Sequence, residues 1–299
     1  MEKKTHYFSG PGYKISAVIY VPDTHKPTDK HPGIVLCQGY TGLKEMALPA
    51  VASRFAQEGY VVLNFDYRGF GESEGPRYRL IPLEQVEDII NGVSYLQTRS
   101  EVDPEKIGVW GTSFGGANAP YVASSDHRIK CTVSNLGIGD GERWLHCLRR
   151  EWEWQEFLGE LKEDRKRRAL TGRSKAVHPY EIMQTTPEGW KFWEESIKTN
   201  PERAEIKVPL EVADAIIQYR PETVVHRLKS PVLYISAELD CLTPLQEQLS
   251  LYQKSPEPKR HVIFPDVDHH GIYKEPHFSK LIDLSIGWFR QYLPPQLAV

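Results

Sequence analysis

Residues 107–116 read IGVWGTSFGG, an apolar run that leads into the pattern G-x-S-x-G around Ser113. A helical pattern follows at residues 117–123, so the serine falls between a predicted strand and a predicted helix. A serine on such a sharp turn has strained backbone angles, and the residues two positions before and after it must be small. Gly111 and Gly115 meet this requirement. The stretch predicts a nucleophile elbow; the alternative is a glycine-rich turn with an incidental serine.

Short apolar runs alternate with helical patterns along most of the chain. Strands are predicted at residues 14–21, 33–37, 60–66, 106–111, 129–136, 232–237 and 261–264, with residues 6–9 forming an antiparallel hairpin with the first. Helices are predicted at residues 48–58, 83–96, 244–254 and 277–293, the third with Thr243 as its N-cap. Such alternation is typical of βαβ units. It predicts an α/β fold with a mostly parallel sheet.

The composition excludes several classes of protein. The chain has 299 residues, of which 40% are hydrophobic and 26% charged, as in ordinary folded proteins. Its formal net charge of −3 gives no strong positive field, so we expect neither nucleic-acid nor membrane partners. Residues 1–10 lack the apolar core of a secretion signal, and the four cysteines form no C-x-x-C pair. We expect a cytoplasmic monomer or homodimer with free thiols that binds a small molecule.

Acidic residues and histidines follow the last two predicted strands. Glu238 and Asp240 come after one strand, and His269 and His270 come after the other. A serine hydroxyl needs a base to remove its proton, and the base needs an acid to orient it. The C-terminal ends of strands are where the sites of open α/β sheets lie. We predict Asp240 as the acid, with Glu238 as the alternative, and one of the two histidines as the base.

Other polar residues of these loops have structural interpretations. Asp266 and Asp268 are expected to cap the turn that carries the histidines, with a His-His-Asp metal site as the alternative. The segment DYRGFGES, which begins at Asp66, predicts a tight loop held by a pair between Asp66 and Arg68. Ser73 ends this segment, and it is not the predicted nucleophile because no elbow surrounds it.

Acyl transfer also needs hydrogen-bond donors directed at the developing oxyanion. The backbone N–H of Phe114, directly after the serine, is one candidate. The loop QGYTG at residues 38–42 supplies the other, because Gly39 lets it pass close to the serine and exposes the N–H of Tyr40. The phenol of Tyr40 either contacts the substrate or lines the pocket.

These residues resemble the α/β-hydrolase superfamily, and within it the dienelactone-hydrolase and X-Pro-dipeptidyl-peptidase-like serine hydrolases. The segment VDPEKIG at residues 102–108 is characteristic of that group. Residues 268–273, DHHGIY, resemble its D-H-x-x-x-Y ending, which implies His269 as the base. Residues 240–244 resemble its D-x-x-x-P pattern, which implies Asp240 as the acid. The resemblance also implies an eight-stranded sheet and no metal or organic cofactor.

The alternation of strands and helices breaks between residues 138 and 221. This segment reads helical, without a convincing strand, and its charged run at residues 162–168 predicts a solvated helix face. It holds five of the seven tryptophans: Trp144, Trp152, Trp154, Trp190 and Trp193. Because Ser113 precedes the break and its partners follow it, we predict one core, residues 1–137 and 222–299, interrupted by a helical cap, residues 138–221.

We predict a serine hydrolase that cleaves a carboxylic ester through an acyl-enzyme, with Ser113, His269 and Asp240 as the triad. The substrate is expected to be small to medium and apolar or aromatic, in contact with Tyr40, Trp144 and His270. The same triad could cleave a carbon–carbon bond in a diketone or an amide bond, or transfer an acyl group. A catalytically inactive ligand-binding protein is the alternative outside the enzymes.

Overall fold

The computed structural model describes residues 1–295 of the chain. Its strands are β1 (Glu2–Ser9), β2 (Tyr13–Tyr20), β3 (His31–Cys37), β4 (Val61–Phe65), β5 (Val102–Thr112), β6 (Ile129–Asn135), β7 (Ala176–Val177), β8 (Val208–Pro209), β9 (Val232–Ala237) and β10 (Lys259–Phe264). Its α-helices are α1 (Leu48–Gln57), α2 (Pro82–Gln97), α3 (Phe114–Ser125), α4 (Gly141–Cys147), α5 (Glu151–Thr171), α6 (Pro179–Ile182), α7 (Pro187–Thr199), α8 (Glu211–Ile217), α9 (Leu245–Lys254) and α10 (His277–Tyr292). All the predicted strands and helices are present, with ends that differ by a few residues.

Eight strands form one sheet in the order β1-β2-β4-β3-β5-β6-β9-β10. Strand β2 runs antiparallel to both of its neighbours, and the other adjacent strands are parallel. The predicted α/β fold with an eight-stranded, mostly parallel sheet is confirmed. Because β3, β5, β6, β9 and β10 point the same way, the loops after them gather at one edge of the sheet.

Helices cover both faces of the sheet. In β3, Ile34 and Leu36 pack in the cluster that includes α1 and α10, whereas Val35 and Cys37 pack in the cluster that includes α2 and α3. Side chains alternate between the two faces of a strand, so a strand covered on both sides needs apolar residues at successive positions. This requirement explains the uninterrupted apolar runs in the sequence.

The segment between β6 and β9 is mainly helical, with α4 to α8 and a 3₁₀ helix at Pro201–Glu205. The expectation that it carries no strand was wrong, because β7 and β8 form a two-stranded antiparallel ribbon. Strands of two residues are too short to give a periodic pattern. Residues 138–221 are called the inserted segment below. Their division from a core of residues 1–137 and 222–299 remains our proposal.

The charged run at residues 162–168 lies in α5, and most of its side chains are exposed. Asp164 departs from the expectation. It is buried and accepts hydrogen bonds from the Arg168 side chain at 2.9 Å, the Ser174 hydroxyl at 2.8 Å and the Lys175 N–H at 2.6 Å. This carboxylate therefore joins the end of α5 to the chain that leads into β7.

The predicted pair between Asp66 and Arg68 was wrong. Asp66 accepts hydrogen bonds from the Nζ and the backbone N–H of Lys44, both at 2.7 Å. Arg68 instead donates to Asp88, from Nε at 2.8 Å and from Nη2 at 2.6 Å. Two buried ion pairs, one between Asp66 and Lys44 and one between Arg68 and Asp88, therefore hold the loop.

Two further expectations concern the state of the cysteines and the presence of membrane-spanning segments. Cys37 and Cys131 are buried, Cys147 and Cys241 are exposed, and all four are free thiols. Within residues 1–295, no helix has both the length and the apolar composition of a segment that crosses a bilayer.

Candidate active site

Ser113 lies in the turn between β5 and α3, with φ of 55° and ψ of −123°. A positive φ is uncommon for a residue with a side chain, and here it turns the chain sharply from strand into helix. The neighbouring glycines provide space. A Cβ at Gly111 would lie 2.0 Å from the Gly115 oxygen, and a Cβ at Gly115 would lie 2.0 Å from the Cys37 oxygen. The sharp turn expected from the sequence is present.

The pattern G-x-S-x-G occurs a second time, around Ser73, between Gly71 and Gly75. There the glycines have positive φ, +49° and +115°. Ser73 is buried, and its hydroxyl donates to the Asp66 carbonyl at 2.7 Å and accepts from the Ser16 N–H at 2.9 Å. Because both roles of this hydroxyl are occupied, Ser73 stabilises the loop.

Asp240 and His269 lie in the loops after β9 and β10, which are neighbours in the sheet. The Nδ1 atom of His269 is 2.7 Å from Asp240 Oδ2. The carboxylate also accepts the backbone N–H groups of Leu242 and Thr243, both at 2.8 Å, and the Thr243 hydroxyl at 2.7 Å. Four donors thus hold a buried acid in one orientation against the histidine.

These contacts decide the charge of Asp240. Burial raises the pKa of Asp240, but the charge of His269 and the hydrogen bonds from His269 and Thr243 outweigh it, so the pKa lies below its ordinary value. The ionised carboxylate accepts the Nδ1–H of His269. That tautomer leaves Nε2 of His269 as a proton acceptor.

The alternative acid and base are placed differently. Glu238 is exposed and accepts the N–H of Asp266 at 3.1 Å. The ring of His270 lies 5.1 Å from that of Phe192, and burial together with the charge of His269 lowers its pKa to about 4. The structure therefore pairs Asp240 with His269, and His270 is a neutral neighbour.

Three residues near the pair had predicted capping roles, Asp266 and Asp268 in the turn and Thr243 at the start of α9. Asp268 accepts the N–H of Gly271 at 2.6 Å and so caps the turn as expected. Thr243 was expected to cap α9, and that expectation was wrong. Helix α9 begins at Leu245, and the Thr243 hydroxyl is already bound to Asp240.

Ser113 and His269 line one cavity of about 130 Å³, which core loops and the inserted segment enclose together. Core residues in its lining are Gln38, Gly39, Tyr40, Gly42, Met46, Ala47, Leu48, Thr112, Ser113, Leu242, His269, His270 and Tyr273. The inserted segment contributes Tyr180, Met183, Phe192 and Arg203. The lining includes Tyr40 and His270, two of the three predicted substrate-binding residues.

The third predicted substrate-binding residue, Trp144, does not line the cavity, and that expectation was wrong. Its side chain is fully buried. Its indole N–H donates to the Leu242 carbonyl at 2.7 Å, and its ring packs against Tyr40 and Phe114. A buried indole must satisfy its N–H, and this bond holds the ring behind the site. Trp144 therefore supports the residues around the cavity.

The loop after β3 passes close to the elbow, as predicted. A Cβ at Gly39 would lie 3.3 Å from the Cβ of Ser113. Phe114 is the first residue of α3, so its N–H has no partner within the helix. The Tyr40 phenol donates to the Pro179 carbonyl at 3.3 Å, which ties this loop to the inserted segment. The N–H groups of Tyr40 and Phe114 remain our candidates for binding an oxyanion.

Sequence reasoning missed the cavity residues of the inserted segment. Tyr180, Met183, Phe192 and Arg203 come from three different helices and the loops between them. They share no motif, and their spacing follows no helical period that would mark them as one surface. A second omission is the hydrogen bond between Tyr273 and Thr112, which connects the turn after His269 to the strand before Ser113.

A candidate group of metal ligands lies elsewhere. Among residues 1–295, His25, Asp29 and His31 place one ligand atom each within 4.8 Å of one another. The Nδ1 of His25 is 3.2 Å from Nε2 of His31, so a hydrogen bond also accounts for this contact. His31 is the first residue of β3, and the candidate active site lies beyond the other end of this strand, at Cys37. The six residue steps between these ends place the histidine roughly 20 Å from the site, at the opposite edge of the sheet. It is not the predicted alternative around His269.

Solved structures with the same architecture define the class. The chain superposes on DcsB, solved in complex with its substrate analogue, with a TM-score of 0.84 and 22% identity, covering 98% of this chain and 99% of that one. It superposes on the alpha/beta hydrolase GrgF from Penicillium sp. sh18 with a TM-score of 0.79 and 19% identity, covering 98% and 99%. The fold is that of the α/β hydrolases.

Sequence comparison also assigns the chain to a family. The model of the X-Pro dipeptidyl-peptidase (S15) family matches residues 11–271. An Escherichia coli relative, the uncharacterized 31.7 kDa protein in the traX-finO intergenic region, is 32% identical over 88% of this chain and 92% of its own length. The chain belongs to the X-Pro dipeptidyl-peptidase (S15) family of hydrolases.

Several relatives have functional names, and two of them align along nearly the whole chain. The quorum-quenching protein AidA of Acinetobacter baumannii is 28% identical over 96% of this chain and 94% of its own. The thiohydrolase aneE of Aspergillus aculeatus is 25% identical over 100% of this chain and 97% of its own.

Proposed function

We propose that the protein is a serine hydrolase that cleaves carboxylic esters through an acyl-enzyme. The observation that supports it most is that His269, held by the buried Asp240, lines one cavity together with a serine on a strained strand-to-helix turn. A carboxylate whose pKa is shifted by a specific partner beside a cavity is typical of catalytic sites. In this proposal Ser113 is the nucleophile, His269 the general base and Asp240 the group that orients it.

The chemistry proceeds in two halves. Nε2 of His269 takes the proton of Ser113 while Oγ attacks the acyl carbon, and the N–H groups of Tyr40 and Phe114 bind the oxyanion. His269 then returns the proton to the leaving alcohol, which departs and leaves the acyl group on Ser113. Water, deprotonated by His269, attacks the acyl-enzyme, and Ser113 leaves with its proton restored and a carboxylic acid released.

The lining of the cavity supports the class of substrate. Met46, Leu48, Met183, Phe192 and Leu242 present apolar side chains around the serine. Apolar walls with a few convergent polar groups are typical of small-molecule sites. We propose a small to medium ester whose acyl or alcohol part is apolar or aromatic.

A thioester is the second candidate substrate, because the relative named a thiohydrolase aligns with the whole of this chain. The same nucleophile and oxyanion donors would serve both reactions, and only the leaving atom differs. Acyl transfer to an acceptor alcohol uses the same acyl-enzyme and competes with water.

Labelling and product analysis test the proposal. A fluorophosphonate probe should modify Ser113 and no other serine, as peptide mass spectrometry would show. The labelled protein should have lost hydrolysis of p-nitrophenyl butyrate. Parallel assays with the matching thioester, an aryl diketone and an aminoacyl amide rank the bonds cleaved. An intact, folded protein that neither reacts with the probe nor releases p-nitrophenol would overturn the proposal in favour of a binding protein.

A further inference from the structure

Arg203 brings a charge into an otherwise neutral cavity. Among residues 1–295 that line the cavity, it is the only lysine, arginine, aspartate or glutamate. Its side chain belongs to the 3₁₀ helix of the inserted segment, and only 2% of the residue is exposed. Burial lowers the pKa of Arg203 to about 10, so the guanidinium remains charged at neutral pH.

The contacts of Arg203 use part of its donor capacity. Nε donates to the Ser196 hydroxyl at 2.7 Å, and Nη1 donates to the Thr41 carbonyl at 2.9 Å and to Met46 Sδ at 3.2 Å. The guanidinium lies 4.2 Å above the centre of the Trp193 ring. No hydrogen bond to another described residue uses Nη2, which carries two of the five donors.

The other buried arginines of the chain are balanced differently. Arg68 is paired with the Asp88 carboxylate. Arg149 donates to the carbonyls of Leu145, Glu181 and Ile182, at 2.7 to 3.0 Å, through both Nη atoms. Arg203 is the buried arginine that has a cavity beside it and no carboxylate among its described partners.

An unpaired buried charge is costly, and it is commonly offset by a counter-charge. Glu202 is next in sequence, but its carboxylate lies 4.0 Å from Arg77 and makes no ion pair with Arg203 among the described contacts. Thr41, which Arg203 does contact, directly follows Tyr40, whose N–H is our candidate oxyanion donor. The charge therefore borders the loop that would hold the acyl carbonyl.

We propose that Arg203 is a specificity-determining residue whose Nη2 binds a carboxylate at the far end of the acyl chain of the substrate. This inference rests on the proposed function, and it narrows the substrate to esters or thioesters of dicarboxylic acids. The apolar walls hold the methylene chain, Arg203 holds its anionic end, and Ser113 attacks the esterified end. A carboxylate suits the site because a planar guanidinium edge matches it in shape and charge.

The test compares two substrates that differ only in charge. These are the mono-p-nitrophenyl ester of adipic acid and its neutral amide isostere, p-nitrophenyl adipamate. Wild-type protein should have a kcat/KM at least about 10-fold higher for the anionic ester. In Arg203→Met, kcat/KM for the anionic ester should fall about 10- to 100-fold, the range of a charged hydrogen bond, while the neutral ester should change less than about threefold. Arg203→Lys should keep part of the preference.

Arg149→Met is the matched control, because it also removes a buried arginine of the inserted segment but one that is not among the residues lining the cavity. It should leave the ratio of the two kcat/KM values unchanged. Equal losses for both esters in Arg203→Met would overturn the inference and reduce Arg203 to a support for Thr41. Equal kcat/KM values for the two esters in the wild type would also overturn it.

A binding experiment separates this inference from the catalytic proposal. Adipate should bind to Ser113→Ala by calorimetry and change the fluorescence of Trp193, and adding Arg203→Met should abolish both effects. Adipate binding without ester hydrolysis would sustain the anion site and overturn the proposed function. Ester hydrolysis without adipate binding would sustain the proposed function and overturn the anion site. Circular dichroism confirms that each variant is folded.

Discussion

Ser113 and Ser73 occupy the same pattern, G-x-S-x-G, in two loops of one molecule with opposite outcomes. At the elbow the serine itself takes the positive φ, and its glycines are there for space. In the other loop the glycines take the positive φ, and the serine hydroxyl is fully engaged with backbone groups. The comparison shows that the pattern encodes a tight turn. The strand before it and the helix after it decide whether the hydroxyl is presented to a cavity.

Replacing each serine by alanine should separate the two roles most strongly. Ser113→Ala should lower turnover by at least about 10³-fold, because the nucleophile is lost while the fold is kept. Ser73→Ala should leave turnover within about threefold but lower the free energy of unfolding by about 1–3 kcal/mol, because the Ser16 N–H loses its acceptor. Ester kinetics and urea unfolding of both variants measure this. Comparable kinetic losses in the two would break the comparison.

The acids after β9 give a second matched pair. Asp240→Asn should lower turnover by about 10²- to 10⁴-fold, because the amide can donate to Nδ1 of His269 and favour the wrong tautomer. Glu238→Gln changes an exposed side chain and should stay within about twofold of the wild type. Steady-state kinetics of both variants at pH 7 test this assignment. A large loss in Glu238→Gln would transfer the role of the acid to Glu238.

Replacing a glycine by alanine should have different consequences for stability and activity in the two patterns. Gly115→Ala forces a Cβ against the Cys37 carbonyl and should destabilise the fold by about 3 kcal/mol, with activity lost as the elbow deforms. Gly75→Ala has no backbone clash as close and should cost about 1–2 kcal/mol through its positive φ alone, with activity kept in the folded protein. Denaturant unfolding and activity per folded molecule distinguish the two. Similar stability and activity in both variants would contradict this explanation.

The smallest expected effect is that of Thr243 on the stability of the folded protein at acid pH. The pKa of Asp240 is held below its ordinary value in the fold, so the stability it contributes is present above about pH 4, its unfolded pKa, and is lost as the pH falls through the folded pKa. Thr243→Val removes one hydrogen bond to the carboxylate and should raise that folded pKa. Between pH 6 and pH 2 the free energy of unfolding should then fall by a smaller amount in the variant and level off at a higher pH, because its folded pKa lies closer to the unfolded one. Identical pH profiles would show that Thr243 does not stabilise the ionised acid.

Much of the site could be predicted from the sequence because its residues follow strands. Each strand of the parallel sheet is recognisable as an apolar run, and its C-terminal end is then known to within a few residues. These strand ends indicated Asp240, with Glu238 as the alternative, and one of His269 and His270, whereas the choice of His269 came from the resemblance to a known family. The structure supports Asp240 over Glu238 through three donors from its own turn and the ring of His269 from the next loop, which only the fold brings together.

The inserted segment could be predicted only as a helical interruption. Its cavity residues are separated in sequence, and its buried apolar residues pack in one cluster with those of the sheet, of α2 and of α3. Trp144 illustrates the difficulty: an aromatic residue near the site in sequence was expected to touch substrate, but its indole N–H required a buried carbonyl and found Leu242. Arg203 carried no signal, because an arginine in a charged segment is ordinarily exposed.

The sequence by itself determined the sheet, the elbow and the order of the residues around it, because strand periodicity and small-residue requirements act over a few neighbouring positions. Only the tertiary structure decided which residues of the inserted segment line the cavity, and which arginine is buried beside it without a carboxylate. Those outcomes depend on side chains more than a hundred residues apart, such as Arg203 and Thr41, whose contacts no local pattern records.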